Sequence, residues 1–268
     1  EIILLNKDLT PDYEKQNLLY KNFWLKIEGF LPNAIISEFV RDYLTMKTGV
    51  IPNKDRVYEI FKKYVKDNRN IDEEGILEDL LLYSEYYSWI LNCNSPHNDL
   101  NQLLQQLQQL KSTITYPTLL YIFEDCFIYK KITEKDLEYI LQIILSYLFR
   151  RLICDYPTNA LNKIFASLPG EIEKSISEKK EYATAFIGIL ASKSGSGMFP
   201  RDEEFRRSFI MKELYKTKID KYTLFQLEKF NRKIGHQKVL ERLPNYDIKI
   251  NKIKKRVKAI FDSVPNNV

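Results

Sequence analysis

Few residues of this chain combine a reactive type with a telling position, and the most distinctive are two adjacent arginines. Arg150 and Arg151 end an apolar helical run in "SYLFRRLICDYPTNALNKIF" (146–165), just before a Cys-Asp-Tyr-Pro turn and a second amphipathic run. Two guanidinium groups could grip a phosphate, or they could hold two helices together. Neighbouring helix positions diverge by about 100°, so both do not readily reach one ligand. The spacing predicts one arginine in the packing interface and the other toward solvent. At a helix C-terminus arginine also meets free carbonyls and complements the dipole. Asp155 is near enough to pair with one of them, and Pro157 closes the turn. Arg150, Arg151, Asp155 and Pro157 are therefore read as a structural corner rather than a ligand site.

A second candidate lies near the C-terminus. "KINKIKKRVK" carries Lys249, Lys252, Lys254, Lys255, Arg256 and Lys258 and no acid, while Ile250, Ile253, Val257 and Ile260 recur at helical spacing. One face is apolar and the other basic. Such a face either contacts nucleic-acid backbone through counterion release or is simply solvated. No Trp or Phe cluster adjoins it for insertion into a membrane surface. DNA, held by backbone contacts, is thus the partner to consider, and a membrane is not.

Enzymatic signatures are scarce. The two histidines, His97 and His236, form neither H-E-x-x-H nor another two-histidine metal spacing. "SKSGSGM" (192–198) is glycine-rich but lacks the Gly-Lys-Ser/Thr ending of a phosphate loop, and no G-x-S-x-G occurs. Glu203 and Glu204 suit a helix start better than acid–base work. No cofactor is expected in this chain, and no catalytic residue is assigned.

The elements that would position these residues read as helices. Apolar residues recur at three- and four-residue spacing over 12–30, 34–47 and 53–64, and from "NIDEEGILEDLLLYSEYYSWIL" onward. "HNDLNQLLQQLQQLK" presents leucines on one face and is read as a packed helix. Pro117 suits a first helical turn, and Thr133 with Asp136 forms an approximate capping box. Pro169 is expected to stop one helix, and a long helix should follow it to the Ser-Gly loop at 192–198. Pro200 is expected near the first position of the next helix. A helix at 220–231 and a strand within 243–253 complete the reading. The fold class is all-α: an irregular multi-helix bundle with at most one short strand pair.

Composition agrees. The 268 residues are 44% hydrophobic with 8 Gly, enough apolar surface for a core and too little glycine for a turn-rich β protein. Three cysteines, none close in sequence to another, make no disulfide framework or zinc pattern, so a reducing, cytoplasmic setting is expected. No apolar run reaches the roughly 18 residues of a membrane span. The opening "EIILLNKDLTPDYEK" has no signal-peptide character and reads as part of a longer chain. From Arg201 onward 18 Lys plus Arg face 9 Asp plus Glu, whereas the first 200 residues carry a net −4. This asymmetry divides the chain into 1–200, a helical region, and 201–268, a basic helical extension that would contact an anion.

Several stretches resemble, in order, the helical region of GmrSD-like proteins, bacterial modification-dependent restriction and phage-defence enzymes. They are "LYKNFWLKIE" (19–28), "ISEFVRDYLTMKTG" (36–49), "VYEIFKKYV" (57–65), "YLFRRLICDYPTNALNKIF" (147–165), "GMFPRDEEF" (197–205) and "YTLFQLEKF" (222–230). The resemblance implies a parent with an N-terminal ParB-like domain, this helical region between 1 and 200, and a C-terminal HNH nuclease domain beyond 201–268. The D-G-Q-Q-R-L-like and I-E-H-I-x-P-Q-like elements of that parent are missing here, so no catalytic residue carries over. The expected role is a non-catalytic module of a DNA-targeting defence endonuclease. It would position the end domains of the parent and touch DNA backbone. The alternative is a stand-alone helical protein-interaction scaffold. The sequence sets no oligomeric state.

Overall fold

Helix follows helix wherever the apolar spacing is three and four. The computed structural model describes residues 12–68, 72–177 and 181–212, together with Tyr222, Thr223 and Gln226. Asp12 caps α1 (Tyr13–Leu19), which runs through a π turn (Tyr20–Trp24) into α2 (Leu25–Phe30). Leu31-Pro32 breaks the run before α3 (Asn33–Thr48), and Gly49 ends that helix in the left-handed region at φ 69°, where a side chain would be strained. Asn53 caps a short 3₁₀ turn ahead of α4 (Val57–Asp67). Then come α5 (Glu73–Asn92), α6 (Asn98–Gln109), α7 (Tyr116–Phe127) and α8 (Glu134–Ile153). The chain continues with α9 (Asn159–Ser177), α10 (Tyr182–Ser192) and α11 (Asp202–Met211). Among the described residues there is no strand, so the fold is all-α. The expected strand and most of the 220–231 helix lie outside the described residues, although Tyr222, Thr223 and Gln226 are helical.

The centre of the bundle is α7. Ten of its twelve residues are buried, which requires neighbours on every side, and α3, α5, α8 and α9 supply them. Aromatic rings fill the space between α3 and α5. Phe39 meets Tyr87 at 5.3 Å between centroids, and Tyr43 meets Tyr83 at 5.5 Å. Buried tyrosines need partners for their hydroxyls. Tyr43 donates to Asp79 at 2.6 Å, Tyr87 to Asp42 at 3.0 Å and Tyr182 to Asp125 at 2.9 Å. No helix among the described residues is long and apolar enough to cross a membrane.

Two proline expectations need correction. Pro169 does not stop a helix: α9 runs through it to Ser177. Proline lacks the N–H that would bond the carbonyl four residues earlier, which normally breaks a helix. That carbonyl belongs to Phe165, and the Thr118 hydroxyl of α7 donates to it instead, at 2.6 Å and fully buried. A side chain from a neighbouring helix thus replaces the missing backbone donor. Pro200 stands outside α11, two residues before its first residue, and its carbonyl is used by a side chain of α8.

The element that carries the candidate corner is α8. The Thr133 and Asp136 capping box forms at its start, with both reciprocal bonds made. Its last two turns present Tyr147, Phe149, Arg150 and Arg151.

Candidate functional site

Arg151 is the largest fully buried side chain among the described residues, at 2% exposure, and burial of a cation demands compensation. No carboxylate provides it among the described residues. Instead, one terminal nitrogen donates to the Met198 carbonyl at 2.9 Å, and the other donates to the Pro157 and Ser196 carbonyls at 2.6 Å each. The rings of Tyr147 and Tyr156 lie with centroids 5.3 Å from the guanidinium carbon, within cation–π range. The Nε atom is buried with no hydrogen-bond partner, which offsets part of the gain.

The captured loop is the Ser-Gly stretch. Tyr147 adds a bond from its hydroxyl to the Gly197 carbonyl at 2.6 Å. Arg150 donates to the Pro200 carbonyl at 3.2 Å, pairs with Asp202 and lies over the Phe205 ring at 5.1 Å. Carbonyls of Ser196, Gly197, Met198 and Pro200 are therefore all taken by side chains from one end of α8. Gly195 turns the loop at φ +54°, and a Cβ on Gly197 would meet Ile164 Cδ1 at 2.8 Å. These two positions explain why glycines stand here: one bends the chain and the other lets it lie against α9. The Tyr156 hydroxyl reaches Glu204 at 2.7 Å, and this bond pushes the phenol up to about 12.

The corner differs from its expected form in one partner. Asp155 pairs with Lys212 rather than with an arginine, and it occupies the left-handed region at φ 56°. Pro157 contributes through its carbonyl. Of the two arginines, Arg151 is inside, and the Arg150 side chain is 25% exposed. Sequence reasoning missed Tyr147, Tyr156 and Glu204. The clue available was that "YLFRRLICDYPTNALNKIF" and "GMFPRDEEF" both stood out, and these two stretches meet here.

The other expected candidates are separate. His97 precedes α6, stacks on Phe127 at 4.6 Å and holds Glu134 at 2.9 Å through Nδ1, joining three helices. No group of three His, Cys, Asp or Glu among the described residues could hold a metal. Lys249, Lys252, Lys254, Lys255, Arg256, Lys258 and His236 lie outside the described residues.

Chemically, the clamp fastens side chains of one helix end to backbone carbonyls of the loop. Its strongest donors are already engaged by carbonyls, so it is built to hold a loop. No family model matches the chain, and neither a curated protein nor a solved structure matches it. This corrects the restriction-like, phage-defence, endonuclease-associated and DNA-binding attributes attached to the resemblance. With no match of any of these kinds, nothing supports them for this chain, and of that description the all-α character stands.

Proposed function

We propose that this chain is a non-catalytic helical positioning module, a packed body that fixes the direction in which the polypeptide leaves it toward neighbouring domains. The observation that carries the reading is the clamp. Residues of α8 bind four carbonyls of the loop that leads into α11, some 45–50 residues further along the chain. Phe149 extends the attachment by packing on Phe205, Phe209 and Tyr222. A rigid exit is what a module needs if it sets the relation between domains on either side. The resemblance to GmrSD-like proteins implies the same place for their helical region, and kinship in that architectural sense belongs to the proposal. Three free cysteines support a reducing, cytoplasmic setting.

Spin labels on an exposed position of α4 and on α11, read by pulsed dipolar spectroscopy, test the reading. A narrow distance distribution is expected, broadening when Arg151 is replaced by Ala while helical circular dichroism persists. A distribution that is broad already in the unmodified chain sinks it.

A further inference from the structure

A cleft of about 430 Å³ opens between α2, α3 and α4, far in sequence from the arginine clamp. Pockets of roughly 300–1,000 Å³ suit small molecules. Trp24 and Glu28 line it from the π turn and α2, Tyr58 and Phe61 from α4, and Leu80 of α5 contributes from a fourth helix. Three aromatic side chains thus share a cavity with one carboxylate.

The carboxylate is held in place. Trp24 Nε1 donates to one Glu28 oxygen at 2.9 Å, and the Tyr20 hydroxyl donates to the other at 3.2 Å. Both donors are neutral, and among the described residues no Lys or Arg bonds either oxygen. The Glu28 carboxylate thus meets only neutral donors, in a cavity whose other lining is apolar and aromatic apart from Asn33 and Ser37. The π turn at Tyr20–Trp24 shifts the register of the helix just where Tyr20 and Trp24 must converge on Glu28. Such turns occur often at binding sites.

A cation with an apolar body matches this combination. An ammonium group gains from a fixed carboxylate and from aromatic faces, and the stem gains from leaving water. An anion would be repelled, and a neutral apolar molecule would leave Glu28 unused. We infer that the cleft beside Trp24 and Glu28 binds a small organic ammonium compound carrying an aromatic or alkyl body.

The test uses 2-phenylethylammonium and its neutral analogue 2-phenylethanol on the whole chain. The readout is Trp24 emission with the second tryptophan replaced (Trp89→Phe), and calorimetry on the unaltered chain as a check. The ammonium should bind saturably and at least about tenfold more tightly than the alcohol, equivalent to about 1.4 kcal/mol. Glu28→Gln should abolish that preference while leaving the thermal transition in place. Tyr58→Ala, at a side chain 46% exposed, should weaken the ammonium without affecting folding. Absence of saturable binding, equal affinity for both probes, or a preference that survives Glu28→Gln overturns the proposal.

Discussion

Removing a buried guanidinium leaves its acceptors behind. Arg151→Ala strands three carbonyls under α8, and an unmet buried acceptor costs about 1–3 kcal/mol. Some of these carbonyls will reach water once the loop loosens, so a loss of about 2–4 kcal/mol in urea unfolding is expected. Arg151→Lys should recover little, because a single ammonium does not reproduce the planar fork that spans Pro157, Ser196 and Met198. Arg150→Ala should cost less, about 1 kcal/mol, since its partner Asp202 is 87% exposed. Asp42 gives a different signature. Burial lifts its carboxyl to about 7 from 3.8, opposed by the hydrogen bond from Tyr87 and by Arg41, with Glu38 adding to the rise. The folded state therefore holds this proton more tightly than the unfolded chain. Stability declines as pH rises from about 4 to about 7 and is level above that. Asp42→Asn should gain about 1–3 kcal/mol over the unaltered chain at pH 8 and almost nothing at pH 4, measured by denaturant unfolding at both values. A gain that is independent of pH would refute this account.

Helix starts and stops show what was readable locally. Thr133 and Asp136 announced the start of α8 because a capping box involves residues three apart. Asn53 did so for the turn before α4 for a similar reason. Helix geometry separates Arg150 from Arg151 but does not say which of them goes inside. Pro169 misled because the rule against proline in a helix is local, whereas the Thr118 hydroxyl that rescues the Phe165 carbonyl comes from 47 residues away. Asp155 misled in the same manner: Lys212 is its partner, and nothing near it in sequence says so. Thr118→Val keeps the shape and deletes the donor. It should cost about 1–3 kcal/mol, whereas Thr118→Ser should cost less. A Thr118→Val variant as stable as the parent in thermal and urea unfolding would show that the Phe165 carbonyl is satisfied in another way.

For the molecule as a whole, α7 sits in the centre and the aromatic rings around Phe149 fasten the C-terminal side. Phe149→Ala removes the ring that touches Phe205, Phe209 and Tyr222 at once. A loss of about 3 kcal/mol is expected, with trypsin cutting at Arg206 and Arg207 well before it attacks α3 to α8. Cleavage spread evenly along the chain would instead mean that the attachment is not a separate layer of stability. The all-α class was legible because periodicity and low glycine content repeat over the entire length. The clamp was legible in its parts and not as a site, because the segments that build it are separated by some 50 residues. The bond from Thr118 to Phe165 carries one further consequence. A backbone ladder in α9 is completed by a hydroxyl belonging to α7, so α7 cannot open alone without leaving that rung unfinished, and α9 cannot open alone without leaving the Thr118 hydroxyl without its acceptor. Amide protons of the two helices flanking that bond should then exchange with deuterium in a common opening event, with one shared free energy and one shared denaturant dependence.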